Sequence, residues 1–116
     1  NRTLSNSKKL ISFFNHRKME IHDKKKTYDL IINTTPISMT NEEVSLPRDI
    51  LDNNPICYDL FYSKDVTSFQ KWAYSNGITK CYDGLGMLIQ QAKHSFFIWN
   101  GLTSETNNLE KKLRIS

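Results

Sequence analysis

The sequence predicts an α/β fold in which a parallel sheet carries flanking helices. Three observations point there. Short apolar runs rich in β-branched and aromatic residues alternate with stretches of helical periodicity. The run over residues 28–35 has a continuous apolar centre, Leu30-Ile31-Ile32, as expected of a strand covered on both faces. The stretch Cys81-Tyr82-Asp83-Gly84-Leu85-Gly86 reads as a strand that ends in a glycine turn and feeds a helix at once. Open α/β sheets bind ligands at such places, outside the carboxyl ends of their strands.

The elements follow in order. Thr3 or Ser5 caps a first helix that has Leu4, Ile11 and Phe14 on one side, and residues 15–17 break it. Lys18-Met19-Glu20-Ile21 alternates like a short strand. Residues 22–27 form a charged loop, and residues 28–35 the clearest strand, stopped by Pro36, which lacks a ladder donor. After a loop, Pro47 opens a helical turn through Leu51. Ile56-Cys57-Tyr58-Asp59-Leu60-Phe61-Tyr62 is the next strand. Asp65 or Thr67 caps a helix through Phe69, Trp72 and Ala73, which stops at Asn76-Gly77. A strand over residues 79–82 leads into the glycine turn. A long helix then runs to Asn100-Gly101 with Leu85, Leu88, Ile89, Ala92, Phe96 and Trp99 at helical spacing. Residues 102–116 read as a polar tail with one more amphipathic helix through Leu109, Leu113 and Ile115.

The 116 residues suffice for one domain. No apolar run reaches the length needed to cross a bilayer, so no membrane association is expected. Two cysteines, Cys57 and Cys81, suit neither a metal cluster nor a disulfide framework, and His16, His22 and His94 have no metal spacing. Free thiols and a polar start without a signal-peptide pattern make a cytoplasmic location the expectation. The net charge is +4, gathered near Lys8-Lys9, Arg17-Lys18 and Lys24-Lys25-Lys26. These lysines are not interleaved with aromatic residues as a stacking platform requires, so nucleic acid is not an expected partner. The chain begins with Asn1 in what reads as the end of a strand, which suggests a piece of a longer protein.

Asn33-Thr34-Thr35, Asp59 to Tyr62 and Asp83-Gly84 end their strands in polar or small residues and would share one edge of the sheet. These pieces, with Asn1-Arg2-Thr3, with Gly84-Leu85-Gly86-Met87-Leu88, with Gln91-Ala92 and with residues 96–101, resemble the nucleotide-binding domain of shikimate dehydrogenases. They occur in the family's order from the first residue to about Gly101. The resemblance implies a partial Rossmann-like parallel sheet, truncated at the N-terminus, over residues 1–101, with residues 102–116 as a helical tail. It further implies NADPH-dependent reduction of 3-dehydroshikimate to shikimate. The family's catalytic Lys and Asp sit in an N-terminal substrate domain, and neither that domain nor the glycine-rich phosphate loop is in these residues. No catalytic residue is therefore assigned here.

The resemblance also implies roles for residues. Arg2 is similar to the residue that contacts the 2′-phosphate and adenine of NADP, with Asn1 and Thr3 as neutral hydrogen-bonding neighbours. A guanidinium pairs with phosphate through two bonds and stacks on a base, whereas an NAD site places a carboxylate here. Many relatives have a second basic residue where this chain has Asn6, so a softer NADP preference is expected, with Lys8 or Lys9 as partial compensation. Thr34 and Thr35 would lie under the cofactor's ribose and pyrophosphate. Leu60 would border the nicotinamide, and Gly84 would let backbone reach its amide. Tyr62 and Gln91 match substrate-binding positions, where a phenol and an amide can hold a carboxylate and hydroxyls. Asp59 and Asp83 are read as structural, strand-end and helix-capping, rather than as acid/base groups.

Two further expectations follow from the missing central strand. The strand around Leu30 would present an open edge, which invites pairing between chains, homodimers included. The helix after Gly84 would lack part of its packing surface. The 116 residues alone are then expected to be marginally stable, self-associating and inactive. Alternatives are a quinate/shikimate dehydrogenase using NAD, or a non-catalytic remnant that binds at most an adenosine phosphate.

Overall fold

The computed structural model describes residues 3–23, 26–40 and 42–115. Its centre is a three-stranded parallel sheet of β1 (Leu30–Asn33), β2 (Ile56–Asp59) and β3 (Cys81–Tyr82), in that spatial order. Leu30 stands opposite Ile56, Asn33 opposite Asp59, and Cys57 opposite Cys81. The helices are α1 (Leu4–Phe14), α2 (Ser68–Ser75), α3 (Leu85–Asn100) and α4 (Leu109–Ile115). Two short 3₁₀ turns, Pro36–Ser38 and Arg48–Leu51, lie between β1 and β2.

The core lies on one face of the sheet. Val44, Leu51, Cys57, Phe69, Ala73, Ile78 and Cys81 are buried together, with Ile31, Ile37, Ile50 and Trp72 packed against them. Helix α2 supplies the cover because its apolar residues Phe69 and Ala73 fall on the buried side. Its start is a capping box: Thr67 Oγ1 accepts from Gln70 N at 3.2 Å, and Gln70 Oε1 accepts from Thr67 N at 3.0 Å. Its end is the predicted Asn76-Gly77, with Gly77 at φ 89°. Helix α3 stops at Gly101 in the same left-handed way, φ 67°.

Three expectations need correction. Residues 18–21 form no strand. Met19 N donates to His16 O at 2.9 Å in a local turn, and among the described residues no strand runs beside this segment. A strand without a neighbour leaves its backbone groups to water, so the alternating pattern alone does not hold it. β1 is not covered on both faces: Leu30 and Ile32 are half exposed, and only Ile31 turns toward the core. Finally, all three strands are shorter than the apolar runs suggest.

The carboxyl ends of the strands share one local feature, repeated three times. Asn33 Oδ1 accepts from Thr35 N at 3.0 Å, Asp59 Oδ1 from Phe61 N at 3.2 Å, and Asp83 Oδ1 from Leu85 N at 3.3 Å. In each case the side chain takes the N–H two residues on and turns the chain out of the ladder. Pro36 therefore does not end β1; it opens the 3₁₀ turn that follows.

Helix α1 forms as the sequence predicts but buries none of its residues, and the N-cap Thr3 makes no side-chain capping bond. The last turns of α3 expose Phe97, Ile98 and Trp99. The Cα radius of gyration is 16.9 Å, against about 13 Å for a compact domain of this length. No described helix is long and apolar enough to cross a membrane.

Candidate functional site

The carboxyl ends of the three strands are tied side by side. Leu60 N donates to Asn33 O and Gly84 N donates to Phe61 O, each at 3.0 Å. Thr34 and Thr35 are exposed beside β1, and Leu60 and Tyr62 are partly exposed beyond β2. Gly84 is buried beneath them. A Cβ on Gly84 would lie 2.7 Å from the carbonyl carbon of Leu60 and closer still to its oxygen. Its φ of −79° is open to any residue. Gly84 is thus needed for space, so that β3 can come up against β2, and not for an unusual dihedral.

Beneath this ledge sits Asp59, with no exposed surface. Its Oδ1 accepts from Asn33 Nδ2 at 3.0 Å as well as from Phe61 N. Its Oδ2 accepts from Ser38 Oγ at 2.6 Å and from Thr67 Oγ1 at 2.7 Å. Ser38 Oγ in turn accepts from Phe69 N at 3.3 Å. One carboxylate therefore joins β1, β2, the first 3₁₀ turn and the start of α2. Four donors replace its water shell, which is the condition for burying a charge. Enclosed in this way, Asp59 presents no atom to a ligand on the ledge.

Asp83 is held from the other side. Its carboxylate receives two bonds from Arg114 of α4, Nη1 to Oδ2 at 2.8 Å and Nη2 to Oδ1 at 2.7 Å. Arg114 Nη2 also donates to Glu110 at 2.9 Å. These acceptors push the Arg114 guanidinium above its ordinary pKa, with the Asp83 bond the largest cause.

The two thiols are buried and free. Burial pushes Cys81 up to about 12, with the neighbouring Cys57 adding to the shift, and burial raises Cys57 too. Protonated, enclosed thiols are poor nucleophiles. The ledge thus offers shape, backbone groups and hydroxyls, and it suits binding rather than covalent chemistry. Among the described residues no three metal-ligating side chains come together.

The structure brings Thr34, Thr35, Leu60, Tyr62 and Gly84 to one edge through these backbone bonds. Gln91 is exposed on α3, two turns beyond Gly84. Thr3 and Asn6 are exposed at the start of α1, which is not docked on the core. Asn1 and Arg2 lie outside the described residues. A cavity of about 350 Å³ between Tyr58, Lys64, Tyr82, Asp83 and Arg114 adjoins the glycine turn, and it is not lined by Thr34, Thr35, Leu60 or Gly84. Sequence reasoning missed Ser38, the Gln70 half of the capping box, and Arg114. The Thr67-x-x-Gln70 spacing was a legible signal for the box. Nothing local marks Arg114, whose partner is 31 positions away.

The family described as "Shikimate 5'-dehydrogenase C-terminal domain" matches residues 84–114. The protein of Shewanella woodyi named shikimate dehydrogenase (NADP(+)) is 37% identical over 98% of this chain and 43% of its own length. The protein of that name from Colwellia psychrerythraea is 45% identical over 77% of this chain and 32% of its own length. An Ael1 enzyme from Pseudomonas putida superposes with a TM-score of 0.82 at 29% identity, over 97% of this chain and 43% of that one. Shikimate dehydrogenase from Aquifex aeolicus gives a TM-score of 0.72 at 27% identity, over 97% and 41% of the two chains. The chain spans less than half the length of the curated relatives it matches. With the parallel sheet and its joined strand tips, these comparisons make residues 84–114 a match to the shikimate 5'-dehydrogenase C-terminal domain, and nearly the whole chain similar to part of proteins named shikimate dehydrogenase.

Proposed function

We propose that this chain forms the cofactor side of an NADP-dependent shikimate dehydrogenase, which reduces 3-dehydroshikimate to shikimate in the cytoplasm. The observation that carries the reading is the ledge: Leu60 and Gly84 in direct backbone contact, with Thr34, Thr35 and Tyr62 exposed along the same edge. Its open, neutral surface fits a flat nicotinamide ring and its ribose, and the names of the relatives support NADP as the cofactor. When bound, NADPH supplies the hydride for the substrate carbonyl.

In this reading residues 1–101 belong to the cofactor domain and residues 102–116 are its helical tail. Leu60 gives the ring an apolar border, and the Gly84 backbone meets its carboxamide. Thr34 and Thr35 hold the ribose and pyrophosphate. Asn1, Arg2, Thr3 and Asn6 recognise the adenosine end, with Arg2 on the 2′-phosphate. Tyr62 and Gln91 orient the substrate by hydrogen bonds. The catalytic Lys and Asp belong to a substrate domain outside these residues.

The test is steady-state kinetics on the full polypeptide that carries these residues. NADPH should be preferred over NADH, and Arg2→Ala should raise KM for NADPH about tenfold or more while leaving NADH rates nearly unchanged. Equal use of both cofactors would favour a quinate/shikimate dehydrogenase. Binding of NADPH without turnover would favour a non-catalytic remnant.

A further inference from the structure

Gly84 is fixed on one side by its own N–H bond to Phe61 and by the Leu60 carbonyl against which it packs. Its other neighbour is Asp83, whose side chain is only 4% exposed. That carboxylate has two tasks: Oδ1 caps the first turn of α3 through Leu85 N, and both oxygens receive the Arg114 fork. Arg114 comes from α4, the last helix, whose own residues are otherwise unburied and which packs against α3. The geometry points to Arg114 as a positioning residue of the nicotinamide subsite, acting through Asp83 to hold Gly84 against Leu60. This rests on the reading of the ledge as the cofactor floor.

The physical reason is the state of Asp83 without its partner. A carboxylate this enclosed, stripped of its cation, is left buried without a charge partner and must turn toward water. That movement shifts the turn outward or weakens its cap on α3. The Leu60–Gly84 contact has no slack, so a displaced turn separates the two strand tips. A lysine in place of Arg114 keeps the charge but cannot make the planar two-bond fork. Glu110, one turn before Arg114 on α4, also accepts from Nη2 and fixes the guanidinium's approach.

Two measurements on the full polypeptide test this, each with Arg114→Lys and Arg114→Ala. In amide hydrogen exchange, Arg114→Ala should speed exchange at Gly84 and Leu85 about tenfold or more while Cys57 and Tyr58 in β2 stay within about twofold. In kinetics, kcat should fall roughly tenfold to a hundredfold with KM for 3-dehydroshikimate little changed, since the ring is misplaced rather than lost. Arg114→Lys should fall between, and it carries the test if the alanine variant does not fold. Faster exchange spread evenly over the sheet, or unchanged exchange at Gly84, would overturn the inference. So would unchanged kcat alongside a locally loosened turn. A wild-type polypeptide that cannot reduce 3-dehydroshikimate refutes the functional reading, while the exchange experiment still decides whether Arg114 holds the turn.

Discussion

Gly84 and the Leu60 carbonyl touch so closely that no side chain fits between them: a Cβ at Gly84 would lie 2.7 Å from the Leu60 carbonyl carbon. Neither backbone can yield easily. Leu60 N is bonded to Asn33 and Gly84 N to Phe61. Gly84→Ala should therefore destabilise the chain by about 1–3 kcal/mol, the usual cost of overpacking. Gly86 is the control, because a Cβ there meets nothing nearer than Glu110 at 3.9 Å. It lies within α3, so Gly86→Ala should be neutral or stabilise by roughly 0.5–1 kcal/mol. Urea unfolding of both variants measures the contrast, and equal effects would remove the steric explanation.

Asp59 should be among the most sensitive positions for stability. Asp59→Ala leaves Asn33, Ser38, Thr67 and the Phe61 N–H without their acceptor. At about 1–3 kcal/mol for a buried unsatisfied group, and with partial rescue by water, a loss of roughly 3–5 kcal/mol is expected. Asp59→Asn should lose less, because its amide keeps one acceptor and the two hydroxyls can turn to accept from its nitrogen. Thr67→Ser keeps the hydroxyl but deletes an almost fully buried methyl, so a loss of about 1 kcal/mol is expected. Thermal melts across this series check the order Ala, Asn, then wild type.

The thiols predict an alkaline sensitivity. Folded Cys81 keeps its proton until about pH 12. In the unfolded chain a thiol releases it near pH 8.5. Between these values the unfolded state is the one that has lost the proton, so rising pH favours unfolding. The contribution is intact below the unfolded pKa and fades as pH climbs toward 12. Tyr74, also raised by burial, acts in the same direction at higher pH. Unfolding free energy should therefore fall from pH 8.5 upward, and Cys81→Ala should flatten the first part of that slope. A thiol reagent at neutral pH should label native Cys57 and Cys81 far more slowly than denatured chain.

Exposed apolar surface predicts self-association of the 116 residues on their own. Among the described residues β1 pairs on one side only, with Leu30 and Ile32 exposed, and α3 presents Ile98 at 65% and Trp99 at 80% exposure. An unprotected strand edge and an exposed apolar patch each recruit other chains. Analytical ultracentrifugation should show mass rising with concentration, and Ile32→Lys should reduce it. A monomer with a sharp thermal transition would contradict this expectation.

Local chemistry made much of the architecture legible. Asn76-Gly77 and Asn100-Gly101 end helices because a residue without Cβ accepts positive φ, a property of the residue itself. The strand–turn–helix unit at Gly84 and the apolar side of α2 follow from spacing alone. Thr34, Thr35, Leu60, Tyr62 and Gly84 could be set on one edge from the topology of parallel sheets.

Other features needed partners distant in sequence. Residues 18–21 have strand-like alternation and no neighbouring strand among the described residues, so they stay irregular. The carboxyl ends of the strands lie where Asn33, Asp59 and Asp83 capture an N–H. The need for glycine at position 84 came from the Leu60 carbonyl just beyond β2, and Asp83 found Arg114 across 31 residues. Sequence by itself determined which segments turn, coil or extend, because those preferences reside in single residues and their near neighbours. Tertiary structure decided which of them could keep a partner, a cavity-free contact or a buried charge, because those depend on atoms that only folding brings together.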